Sequence, residues 1–190
     1  MEKCVIDLFS AITQVSPLYF NAIGTRYNEE QYHQVTENPF TAELYHRFKY
    51  LTEQKINEQY YINLILHFDI TKASVNRRPD LVLHQGQENR NDQRMFIEIK
   101  TDANVSLTDD FNKLIQATDE YLNFKNVVMI TVNRKFSDLL NLITVHSEFF
   151  NLQVERANRI YFFNIDSSQE LPQYEIYSLR YNKKINARIL

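Results

Sequence analysis

Tryptophan is missing from this chain of 190 residues, cysteine occurs once and glycine only twice. The single thiol, Cys4, excludes an intrachain disulfide and any zinc site built from several thiolates of one chain. Gly24 and Gly86 stand far apart, which excludes a glycine-rich phosphate loop, a dinucleotide fingerprint and a serine-hydrolase nucleophile turn, all of which need closely spaced glycines. No apolar run reaches the ~20 residues that cross a bilayer. Glu2 and Asp7 around Lys3 do not form the basic-then-apolar start of a signal peptide. The expectation is a cytoplasmic protein with no membrane role. The five histidines show no His-Glu-x-x-His spacing, and a formal charge of −3 argues against a surface coated with basic residues, while leaving room for a local basic patch.

What is present is the composition of an ordinary globular protein, 44% hydrophobic and 24% charged, and the length suits one domain over residues 1–190. Val5, Leu8, Phe9 and Ile12 share one helical face. Asn38-Pro39, a capping residue ahead of a first-turn proline, opens a helix over 39–57 with Phe40, Leu44, Phe48 and Leu51 on its stripe. Residues 62–70 alternate with a period of two, and 81–84 and 95–101 give two more strands around a polar loop, so a meander is expected. Ser106 and Asp109 suggest a capping box before Phe111, Leu114, Ile115, Thr118 and Leu122, a crossover helix. Val127–Val132 then reads as a central strand parallel to the one before that helix. Beyond it, 136–150 is spaced for a helix, and 160–165 and 174–181 for strands.

Chemistry concentrates between Arg77 and Asp102. Alternation puts Phe96, Glu98 and Lys100 on one face of a strand whose other face is apolar. Two charges placed there are costly to bury unless paired or bound to an ion. Asp80, opening the preceding strand after Pro79, can converge on Glu98. Paired carboxylate oxygens suit a hard cation, Mg²⁺ or Mn²⁺, which keeps several waters and leaves positions for phosphate oxygens. Such a cation polarises a phosphodiester and acidifies a water, and Lys100 can offset charge that grows in the transition state. The plainer alternative for Glu98 and Lys100 is an ion pair on a solvated sheet surface.

The order Pro79-Asp80, loop, Glu98-x-Lys100 resembles the PD-(D/E)xK nuclease superfamily, which includes restriction endonucleases. The resemblance implies an α/β fold, a restriction endonuclease-like αβββαβ core with a mixed central sheet flanked by helices. It covers about residues 39–133, leaving 1–38 as an N-terminal helical extension and 134–190 as an accessory helix and strands. It implies Asp80 and Glu98 as metal ligands, the Ile99 carbonyl as a third, Lys100 as the catalytic lysine, and Glu43 as the added acidic ligand from the first core helix. Gln116 and Tyr121 look like a Gln and Tyr found after the lysine in some branches, although their spacing is five rather than four, and Gln116 is kept as a catalytic candidate.

The function expected is metal-dependent hydrolysis of DNA phosphodiesters, with DNA preferred over RNA as the nucleic-acid partner. The alternative is an inactive nuclease-fold module that binds nucleic acid or a partner protein. Sequence specificity would then come from a homodimer, a separate specificity subunit or the terminal segments. Arg77, Arg78, Arg90 and Arg94 bracket the site in sequence and could meet phosphates. An α/β interaction protein unrelated to nucleases would instead place Asp80 and Glu98 far apart.

Overall fold

The computed structural model describes residues 1–20, 23–25, 31–33, 37–68, 78–85, 93–167, 171–181 and 183–185. Arg77, Arg90 and the polar loop between the second and third meander strands fall outside these residues, apart from the loop's ends.

Helix α1 (Lys3–Ile12) turns Val5, Leu8, Phe9 and Ile12 inward, as their spacing requires. A ribbon of β1 (Ile23–Thr25) and β2 (Gln31–His33) follows. Helix α2 (Glu37–Gln54) begins two residues before Pro39, which still falls in the first turn, where a missing N–H costs nothing. The meander comprises β3 (Ile65–Phe68), β4 (Leu81–His84) and β5 (Gln93–Lys100), each antiparallel to the next. Helix α3 (Thr108–Ala117) crosses over to β6 (Asn126–Val132), which runs parallel to β5. Then come α4 (Phe136–Val145), α5 (Ser147–Phe150), α6 (Val154–Ala157), β7 (Ile160–Asp166), β8 (Gln173–Ser178) and β9 (Lys183–Ile185).

The main sheet is mixed and open, in the order β3-β4-β5-β6-β7-β8-β9. Every residue of β6 is buried, as expected of a strand covered on both faces. Odd-numbered β5 residues Met95, Ile97 and Ile99 pack with α1 and α2, while Phe96 packs with α3, α4 and α5 on the opposite face. The helices α3 and α4 share a face because two successive crossovers, β5 to β6 and β6 to β7, step the same way with the same hand.

Some local expectations change. The alternation over 62–70 yields only a short described strand: Ile62 and Asn63 lie in a turn, with Asn63 at φ 63°. As an edge strand, β3 leaves Ile65 and Phe68 exposed. The capping box is displaced, for Ser106 Oγ accepts weakly from the Thr108 amide rather than from residue 109. The helix expected over 136–150 breaks at His146, whose ψ of 88° is not helical. The break shifts the apolar stripe, so Phe149 is buried and Phe150 exposed. The strand expected over 174–181 ends at Ser178, as β8, in a 3₁₀ turn, Leu179–Tyr181. The elements beyond residue 133, read from sequence as accessory, extend the same sheet, and β7 is buried from Ile160 to Ile165. Among the described residues no helix is long and apolar enough to cross a membrane.

Helix α1 is tied by a buried polar contact to the turns that follow α2. Buried Asp7 accepts from Lys55 Nζ at 2.6 Å and from the Tyr61 hydroxyl at 2.5 Å. Asp7→Ala leaves both donors without their acceptor, and the expected loss is about 2 kcal/mol of stability in urea unfolding, because Lys55 retains partial access to water. A loss within experimental error would mean that apolar packing alone holds α1 in place.

Candidate functional site

The antiparallel register pairs Leu81 with Ile97. One step further along the same ladder, Asp80 lies across from Glu98, the arrangement that brings side chains on one face closest. Asp80 is anchored by its own neighbour strand, since its Oδ2 accepts from the Ile99 amide at 2.6 Å. Glu98 shares the face of Phe96 and looks toward α3, with a relative exposure of 1%. This burial removes the reading of Glu98 as one half of an ion pair on a solvated surface.

Glu98 is held by a residue that no motif singled out as its partner. Lys113, on α3, donates to Glu98 Oε2 at 3.0 Å and to Asp110 Oδ1 at 2.8 Å. The other oxygen, Glu98 Oε1, is buried with no hydrogen-bond partner among the described residues. An orphaned carboxylate oxygen in a sheet interior is costly, and a bound cation is one of the few things that offsets it. Burial, and then the charge of Asp80, push the Glu98 carboxyl up to about 7. Burial likewise lifts Asp80 to about 6, against the opposing effect of the Ile99 amide and Lys100.

Lys100 ends β5 and reaches around the end of the sheet. Its Nζ donates to the Ile99 carbonyl at 3.0 Å and lies 3.3 and 3.4 Å from the two carboxylate oxygens of Glu37. Burial depresses the ammonium, but Asp110, Glu37 and Asp80 outweigh it, so its pKa is raised and Lys100 stays charged at neutral pH. It therefore serves as a donor and a fixed positive charge, not as a base.

The acidic residue that α2 brings to this cluster is Glu37, at the helix start. Glu43 is bonded to Arg47 Nε at 2.6 Å on its own helix. That i,i+4 pair is legible in the sequence, and it accounts for Glu43 without the site. Gln116 lies half-buried one turn beyond Lys113, and Lys113 is the α3 side chain that meets Glu98. Arg94 does not bracket the site: its guanidinium stacks 5.5 Å from the Tyr60 ring, and its backbone lies about 20 Å along β5 from that of Lys100. His67 and His84 bond each other at 2.8 Å, with His84 about 13 Å along β4 from Asp80.

Glu37, Asp80, Glu98 and Asp110 thus face Lys100 and Lys113 at the carboxyl end of β5, where a parallel sheet customarily opens its ligand crevice. Among the described residues no three His, Cys, Asp or Glu side chains are arranged as a complete ligand group. The donors that fit a cation are the Asp80 and Glu98 carboxylates and the Ile99 carbonyl, a hard-oxygen set that suits an ion that keeps several waters. The chain matches no family model, no curated protein and no solved structure.

Proposed function

We propose that this chain is a metal-dependent nuclease of the restriction endonuclease-like PD-(D/E)xK type, hydrolysing DNA phosphodiesters by attack of water. The observation that carries the reading is Glu98 Oε1, buried without a partner beside a second carboxylate. Mutual repulsion and desolvation make that pair a poor structural device and a good cation seat. The order helix, three antiparallel strands, crossover helix, parallel strand also agrees with the αβββαβ core of that superfamily.

Asp80, Glu98 and the Ile99 carbonyl would hold Mg²⁺ or Mn²⁺, which when bound draws charge from the phosphate and lowers the barrier to water attack. Asp80 is fixed by the Ile99 amide, so its carboxylate needs little reorganisation to accept a ligand. Lys100 presents a full positive charge where the phosphoryl oxygens gain negative charge. Glu37 positions that ammonium from the start of α2.

Purified protein incubated with supercoiled and linear DNA and Mg²⁺ is expected to nick or degrade it. Chelation or Asp80→Asn should abolish the cleavage. Intact DNA with both Mg²⁺ and Mn²⁺ would end the nuclease reading, and Mn²⁺ binding without cleavage would indicate the inactive binding module.

A further inference from the structure

Three features of Lys113 go beyond this assignment. Its ammonium bridges Glu98 on β5 and Asp110 on its own helix, which are 1% and 5% exposed, so it is the counter-charge of two buried carboxylates. It holds one oxygen of Glu98 and leaves the other without a partner. Its own side chain is 28% exposed, so the amine can leave without unpacking the helix. Lysine suits such a part, being a compact point charge on a flexible stem.

Resting on the reading of Asp80 and Glu98 as a metal seat, we propose that Lys113 is the site's built-in counter-cation: it competes with the divalent ion for Glu98 and is released toward the incoming phosphodiester when the ion binds. A dication and an ammonium on one carboxylate repel each other strongly at this depth. Lys113 does not need Glu98 to remain neutralised, because it keeps Asp110 as a tether 2.8 Å away. From that tether it faces the same strand end as Lys100, which shares the field of Asp110. The site is thereby kept intact without metal, at the cost of affinity for it. Metal entry converts a structural lysine into a phosphate ligand.

The test is calorimetric titration with Mn²⁺ alone of the wild type, Lys113→Met and Asp80→Asn. Wild type should bind, Asp80→Asn should not, and Lys113→Met should bind about tenfold more tightly, since linkage returns to the metal the coupling that the lysine takes. Equal or weaker binding by Lys113→Met, with Asp80→Asn still silent, overturns the counter-cation and leaves the metal seat standing. Absence of Asp80-dependent binding in every variant overturns both. Should Lys113→Met fail to fold, acetylation of lysines in the wild type, read by mass spectrometry, decides instead. Mg²⁺ should accelerate modification of Lys113 relative to Lys55, and an unchanged ratio refutes the release.

Discussion

On the proposed nuclease reading, Lys100→Met is expected to lower the single-turnover rate of Mg²⁺-dependent DNA cleavage by about 10²–10³-fold, the usual consequence of removing one preorganised charge from a reacting centre. The size follows from the surroundings. Lys100 is half-buried, remains protonated under the combined charges of Asp110, Glu37 and Asp80, and is steered by a carboxylate and a carbonyl. Methionine keeps the length and apolar stem and deletes only the charge. An interaction made in the transition state reduces kcat and kcat/KM together, whereas one made only to bound DNA raises KM. A loss below tenfold, or one confined to KM, would remove Lys100 from the chemical step and leave it as a phosphate contact.

The metal-free protein is expected to lose on the order of 3 kcal/mol of stability from Glu98 as the pH rises from 4 to 8, the cost of ionising a carboxyl moved from 4.5 to about 7. Glu98 holds its proton more tightly folded than unfolded, so between those two values the folded chain carries the extra proton. Stability is therefore fully present below pH 4.5 and is lost as the pH passes 7. Asp80, lifted from 3.8 to about 6, titrates with it and adds in the same direction, the two behaving as one coupled pair. Other carboxylates of the chain can slope the opposite way, so the comparison that isolates the effect is with Glu98→Gln. That variant should be the more stable at pH 8 without metal, and the two proteins should converge at pH 4.5. Saturating Mg²⁺ should remove most of the wild type's deficit at pH 8 and leave Glu98→Gln unmoved. Parallel urea-unfolding profiles for the two proteins across this range would show that Glu98 is satisfied as it stands, with no cation missing.

These two expected outcomes probe different halves of the proposed arrangement, a charge to act on the phosphate and a carboxylate to hold an ion. Lys113 connects them, because it lowers the cost of the buried carboxylate without abolishing it. That partial compensation explains how Glu98 is tolerated in a sheet interior where an unpaired carboxylate would not be.

The chain's own pattern determined the pairing at the heart of the site. Alternation fixed which β5 residues share a face, and Pro79 marked where β4 begins, so Asp80 opposite Glu98 follows from a local ladder. The parallel step to β6 was likewise legible, since a buried apolar strand after a crossover helix has few other places to go. What only the tertiary structure decided is who approaches from outside the sheet. Glu37 rather than Glu43 meets Lys100 because the start of α2 lies at the end of β5, a matter of how the helix is docked rather than of its stripe. Lys113 reaches Glu98 because α3 packs Phe111 and Leu114 onto the same sheet face, which fixes the helix rotation. The sequence carried only the local spacing of Asp110 and Lys113. Periodicity within an element sets the direction of its side chains, but the distance between two elements is set by the side chains packed between them, and those are contributed by the whole core at once.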